Sequence, residues 1–267
     1  MAQHRFLARL PAHFLPRALT RFGTATLLAA TTVSGAYALD LNAMTDAERT
    51  AFGAEIRAYL LENPEVLMEA VDVYNQRQQA AQEAGEADLI AAHAADLFEA
   101  EGDLVYGNPD ADLVFVEFSD YRCGYCKKAY PDVKALLEKD GNIKLIVKEF
   151  PILGEESVLA ARFALAVRTV GGVEAYDAIH HELMTARGNV TEGSLKRMAK
   201  DLDLDTDAVM AALDSDEVNT ILGRNQQLGQ IFQISGTPTF VMGQELVRGY
   251  VPFDAMTEIV AELREKG

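Results

Sequence analysis

The chain is 267 residues long, carries a formal net charge of −17, and is 49% hydrophobic and 24% charged. That is ordinary for a globular protein, at a length ample for one domain and an appended element. So large an acidic excess repels phosphate backbones and anionic lipid, which argues against nucleic acid and acidic membrane surfaces as partners. With two cysteines in all, stability must come from packing rather than from a set of structural disulfides.

Residues 1–38 hold Arg5, Arg9, Arg17 and Arg21 but no acid, then an apolar stretch from Phe22 that ends in Ala36-Tyr37-Ala38. This pattern predicts a signal peptide cleaved before Leu39 and an exported, soluble mature chain. The stretch is short of the roughly 20 apolar residues that a spanning helix needs. Residues 39–101 read as a helical extension. Thr45 and Glu48 are spaced for a capping box, and Phe52, Ile56, Tyr59 and Leu60 recur at helical intervals. Asn63-Pro64-Glu65 predicts a stop and a new start, with Asn63 as N-cap. The second helix is expected to run to about Ala100. Its seam, Val66, Ala70, Val73, Arg77, Ala80, Ala84, Ala87, Ala91, Ala94 and Phe98, alternates by four and three, as in a coiled coil. It reads as an oligomerisation stalk, the alternatives being a pair of helices folded against their own domain or a loose charged helix.

Two strands are predicted at Asp103–Tyr106 and Leu113–Phe118, joined by a turn at Gly107-Asn108-Pro109-Asp110. Cys123-Gly124-Tyr125-Cys126 then opens a helix, and Asn142–Phe150 is a third strand. Helices follow at 155–170, 173–186, 191–202 and 206–232. The chain closes with a hairpin of 239–242 and 245–248 and a helix from Pro252 to Arg264.

If a helix begins at Cys123, its unpaired N–H groups and dipole favour a thiolate on the first sulfur, and Arg122, Lys127 and Lys128 act in the same direction. Cys126, one turn on, is placed to resolve a mixed disulfide formed at Cys123. A structural zinc site needs four ligands, and no second C-x-x-C or C-x-x-H completes one. His93, His180 and His181 fall in helical segments, where packing or solvent exposure explains them. Two thiolates could take Cu(I) as a secondary activity.

Pro131 stands five residues after Cys126, and Thr237-Pro238 lies in the run Gly-Thr-Pro-Thr-Phe-Val-Met-Gly. With the C-x-x-C pair these marks resemble the thioredoxin superfamily, and within it the DsbA-type oxidoreductases of the ScsC- and Com1-like branch, which carry an N-terminal helical extension. The resemblance implies an α/β, thioredoxin-like fold over 102–267, with a helical subdomain inserted at about 152–232. It implies a redox-active Cys123–Cys126 disulfide with no other cofactor and no metal, and a cis Thr237-Pro238 along which an extended substrate pairs. Gly124-Tyr125 and Thr237 look more like the DsbC and DsbG isomerases than DsbA. Glu117 and Lys148 match a buried acid and lysine that move the proton of Cys126 in the DsbA family.

The expected protein is therefore a periplasmic thiol:disulfide interchange protein, leaning to isomerase or reductase, with a DsbA-like thiol oxidase as the alternative. A periplasmic chaperone or Cu(I)-binding copper-tolerance protein is the alternative of another class, because ScsC-like proteins are associated with copper tolerance. Implied partners are unfolded or misoxidised exported proteins, a membrane thiol-redox partner (DsbD/ScsB-like or DsbB-like) and further copies of the chain.

Overall fold

A computed structural model describes residues 43–266. The expected signal peptide at 1–38 and its cleavage point lie outside the described residues. The chain divides into two compact units, one ending at Pro64 and the other beginning at Glu65.

In the first unit, α1 (Asp46–Glu62) starts as its sequence predicts. The Glu48 N–H donates to the Thr45 hydroxyl (3.3 Å) and the Thr45 N–H to the Glu48 carboxylate (2.8 Å). Asn63 does not cap the following helix as expected. Its backbone and side-chain N–H groups both donate to the Tyr59 carbonyl, at 2.8 and 2.9 Å, so it closes α1.

The second unit begins with α2 (Glu65–Ala92), whose length is about 42 Å at 1.5 Å per residue. It ends about eight residues before the expected end near Ala100, because the chain turns at His93 before a short α3 (Ala94–Phe98). Leu67, Met68, Val71, Val73 and Tyr74 are exposed along the first half of α2, whereas Ile90 of α2 and Leu97 of α3 are buried against the sheet. A boundary at residue 101 or 102 would therefore cut through core.

Five strands, β1 (Leu104–Gly107), β2 (Leu113–Ser119), β3 (Ile143–Glu149), β4 (Thr239–Met242) and β5 (Glu245–Arg248), form one sheet in the order β1-β3-β2-β4-β5. The β2–β3 pair is parallel and the others antiparallel. The first two strands are not neighbours: β3 lies between them. Parallel pairing requires a crossover, supplied by α4 (Gly124–Asp140). β2 and β3 are apolar on both faces because both faces are covered. On one side Phe115, Leu145, Val147 and Phe240 meet α4, α5 (Glu155–Thr185) and α9 (Phe253–Lys266). On the other Val116, Phe118, Ile146 and Val241 meet Ile90, Leu97 and Phe232.

The inserted region holds α5, α6 (Glu192–Asp201), α7 (Thr206–Ala212) and α8 (Asp216–Ile231). The break expected near residue 171 is a kink in α5 at Gly172, whose φ of 79° is left-handed backbone that suits glycine. The single helix expected over 206–232 is two. Ser215 accepts the Val218 N–H and starts α8, while Asp214 pairs with Arg162 at 3.0 Å. No described helix is long and apolar enough to cross a membrane.

Candidate active site

The site is assembled where β2 hands the chain to α4. Asp120 at the end of β2 is buried, and its carboxylate accepts the N–H groups of Arg122 (2.7 Å), Ile152 (2.9 Å) and Leu153 (3.1 Å). The Cys123 N–H donates to the Asp120 carbonyl at 3.0 Å. One carboxylate thus ties the turn before the nucleophile to the segment after β3. An Asp two residues before the N–H it accepts is a recognisable turn signal, and sequence reading passed over it.

Cys123 is the N-cap of α4, and its Sγ accepts the Cys126 N–H at 3.4 Å. A sulfur in this position faces the unpaired amides of a helix start, where negative charge is favoured. Its thiol donates to the Thr237 carbonyl at 3.1 Å, so residues more than a hundred positions apart meet at one sulfur. The Thr237-Pro238 peptide is cis. Both cysteines are thiols here, Cys126 fully buried and Cys123 7% exposed. Gly124 and Tyr125 lie on the exposed side of the first turn, Tyr125 63% exposed. Pro131 sits inside α4.

Glu117 is buried on the same sheet face as Val147 and Phe240, the face that α4 covers. Burial raises its carboxyl from the ordinary carboxylate range to about 7. Cys126 is pushed well up by burial and then by the charge of Glu117, with the Asp120 backbone and the Thr237 hydroxyl drawing it partly back. The acid and the second sulfur are electrostatic neighbours.

Lys148 does not join them. It pairs in register with Phe118 rather than Glu117, which turns it to the opposite face of the sheet. There its Nζ meets the Asp103 carboxylate (2.5 Å) and the Asp96 carbonyl (2.6 Å), fully buried. Arg224 reaches the same carboxylate at 3.0 Å. Burial pulls Lys148 down and Asp103 up, each opposed by the attraction of the other. The expected role for Lys148 beside Cys126 is therefore replaced by one under α3. Lys148→Ala is expected to cost about 3 kcal/mol of stability by leaving the buried Asp103 with Arg224 as its remaining ionic partner, yet to leave disulfide exchange within about twofold of the parent well below the melting temperature. Urea unfolding and an exchange assay on the same sample check both halves.

The residue that does share Glu117's face from the end of β3 is Glu149. Its carboxylate accepts from Tyr121 (2.5 Å) and Tyr176 (2.8 Å), and burial raises it to about 8. The Tyr121 hydroxyl also lies 2.8 Å from His180 Nδ1, and burial lowers His180 to about 3, keeping it neutral. Of the aromatics near the sulfurs, Phe118 faces the opposite side, Tyr121 is buried core, Tyr130 is partly buried and lines a concavity beside α4, and Tyr125 is the most exposed of the four.

With this geometry in place, comparison with known proteins gives the class. Residues 99–262 match the family described as Thioredoxin, and the chain belongs to that family. Residues 48–81 match a second family, described as Copper resistance protein ScsC N-terminal domain. The chain is similar to a thioredoxin-like oxidoreductase from Silicibacter pomeroyi DSS-3, with 36% identity and a TM-score of 0.60 over 64% of this chain and 97% of that one. It is similar to a linker-deletion variant of Proteus mirabilis ScsC, with 28% identity and a TM-score of 0.62 over 85% of this chain and 100% of that one. Disulfide bond formation protein D of Bacillus subtilis is 27% identical over 177 residues, 62% of this chain and 79% of that protein. The chain spans about a quarter of the length of other curated relatives, the Na(+)/H(+) antiporters NhaA of two Salinispora species. The thioredoxin-like fold with an N-terminal helical region is thus one shared with ScsC-type neighbours.

Proposed function

We propose that the protein is a periplasmic thiol:disulfide interchange protein that acts on disulfides of exported proteins through Cys123 and Cys126. The observation that carries this reading is the position of Cys123 Sγ, at a helix start, 3.4 Å from the Cys126 N–H and 3.1 Å from the Thr237 carbonyl. In the dithiol state the Cys123 thiolate attacks a substrate disulfide. A Cys123–substrate S–S bond forms, the substrate S–S bond breaks, and the departing sulfur leaves with the electron pair and takes up a proton. Glu117 accepts the Cys126 proton, and the Cys126 thiolate attacks Cys123 Sγ, releasing the second substrate thiol and leaving the Cys123–Cys126 disulfide. When a substrate thiol performs that second attack instead, the substrate disulfide is rearranged and the enzyme returns to the dithiol. Thr237-Pro238 holds the substrate backbone beside the sulfur, and Gly124-Tyr125 form the exposed edge it crosses.

Isomerase or reductase action is favoured over oxidation by Gly124-Tyr125, by Thr237, and by an N-terminal extension that presents Leu67, Val71 and Tyr74 for contact with further copies. A membrane thiol-redox partner, DsbD/ScsB-like for an isomerase and DsbB-like for an oxidase, would reset the pair; no cofactor beyond the two sulfurs is invoked. The test is reactivation of a scrambled-disulfide substrate by residues 39–267 beside the same chain carrying Leu67→Asp, Val71→Asp and Tyr74→Asp, all at exposed positions of α2. The expected result is isomerisation by the parent and its loss in the variant. Fast oxidation of a reduced substrate without isomerisation would make the protein an oxidase. The match of residues 48–81 supports a second reading, a role in copper tolerance. It requires Cys123→Ser to protect copper-stressed cells as well as the parent does.

A further inference from the structure

The chain is strongly acidic as a whole, yet the flank of the nucleophile is not. Between the first turns of α4 and the segment joining α5 to α6 lies a concavity of about 270 Å³, with Arg122, Lys127, Arg187 and Arg197 in its wall. Arg122 is the residue before the nucleophile, and Lys127 is one helical turn beyond it. A second concavity, of about 620 Å³, shares Lys127 and Arg187 with the first and adds Lys134 and His181. Together the walls hold five Lys or Arg side chains against three acids, Glu182, Asp201 and Glu138.

Of the five cations, among the described residues only Arg122 is in an ion pair, with Glu156 at 3.1 Å. Lys127 Nζ is held against the wall by the Ala186 carbonyl at 2.6 Å, and an Arg122 N–H donates to the Gly188 carbonyl. A backbone carbonyl thus fixes Lys127 without cancelling its charge, whereas the charge of Arg122 is shared with Glu156. Arg187 and Arg197 are exposed and stand at the rim. Fixed cations in a concave, partly desolvated wall are a carboxylate receptor, and a local field of this sign concentrates anions that the rest of the surface repels.

We propose that this basic concavity binds carboxylate groups and selects, among the disulfide substrates of Cys123, those with Asp or Glu close to the reacting cysteine. The inference rests on the exchange reaction proposed above and adds a substrate preference to it. A helical turn is about 5.4 Å and an extended peptide advances about 3.3 Å per residue. Carboxylates within about two to four residues of the substrate cysteine therefore reach the cations while Thr237-Pro238 holds the backbone.

The experiment compares two peptide disulfides that differ only in flanking residues, Asp and Glu in one and Asn and Gln in the other. Single-turnover rates are measured with the full mature chain and with its Arg187→Ala/Arg197→Ala variant. The parent is expected to react about tenfold faster with the acidic peptide at low salt, and the ratio should fall below about twofold in 0.5 M NaCl. In the variant the ratio should fall below about twofold while the neutral peptide reacts as before. A parent with no acidic preference, or a preference that survives in the variant, overturns the proposal. Succinate that slows the neutral peptide, with no difference between the two peptides, would make the concavity a site for free carboxylates and overturn substrate selection. Failure to exchange with either peptide would instead overturn the reaction itself.

Discussion

Cys123→Ser is expected to lower disulfide exchange by more than about 10³-fold, because the thiolate is the nucleophile and a serine hydroxyl at neutral pH is not. The loss should come without a comparable loss of stability. Cys123 is the N-cap of α4, and serine is among the preferred residues at that position, accepting the same N–H groups as the sulfur. Its Oγ can also donate to the Thr237 carbonyl that the thiol meets at 3.1 Å. The variant should melt close to the parent's dithiol form while reacting with no disulfide substrate. Stopped-flow exchange and thermal unfolding on the same preparation separate the two effects. A Cys123→Ser protein that still isomerised a scrambled substrate would remove the first sulfur from the mechanism.

Glu117→Gln is expected to slow resolution of the mixed disulfide by about 10–100-fold, the range of a positioned proton acceptor. The same substitution should make the protein more stable at high pH. Burial raises the folded carboxyl from an ordinary 4.5 to about 7. Between those values the folded state holds a proton that the unfolded state has lost, so stability is fully present below about pH 4.5 and falls as pH rises toward 7. Above pH 7 the folded chain carries a buried carboxylate at a cost on the order of 3 kcal/mol. The glutamine amide of the variant carries no such charge. The stability difference between variant and parent should be near zero at pH 4.5, grow through pH 6, and level off above pH 7. Glu149, raised to about 8 by burial, gives a trend of the same sign in both proteins and cancels in the comparison. A flat difference from pH 4.5 to 8, or an unchanged resolution rate, would dissociate Glu117 from Cys126.

The pair of expectations differs from the one for Lys148, and the contrast explains what the sequence could and could not say. Cys123, Cys126, Pro131 and Thr237-Pro238 were legible because each is a rare residue in a fixed spacing, and three separated marks constrain one fold. Glu117 stood out as an acid in an apolar strand. Lys148 and Glu149 are adjacent on β3, so one of them had to face Glu117, and strand periodicity alone does not say which. Ile143, Leu145 and Val147 mark one face, but Ile146 is equally buried on the other, so a strand covered on both sides carries no polar stripe to settle the parity. The register of Glu117 with Val147 settles it.

The helix ends failed for a different reason. Nothing in the periodicity of 206–232 announces a break, but the Ser215 hydroxyl accepts the Val218 N–H and starts a new helix, a local cap signal that the apolar spacing does not carry. The stop at His93 is tertiary. Ile90 and Leu97 are both buried on the sheet, and a straight α2 would carry the chain past it. Asp120 offered a local signal in the Arg122 N–H two residues on, but its bonds to Ile152 and Leu153 lie across β3 and leave no trace in the local sequence.

The most direct test of the exchange mechanism is trapping with Cys126→Ser, which keeps Cys123 as the chain's one cysteine and removes the resolving sulfur. Incubated with a scrambled-disulfide substrate and analysed under non-reducing conditions, it should accumulate a covalent complex that dithiothreitol dissolves, with the linkage mapped by mass spectrometry to Cys123. No reducible complex at substrate concentrations on which the parent turns over would contradict attack by Cys123 as the first step.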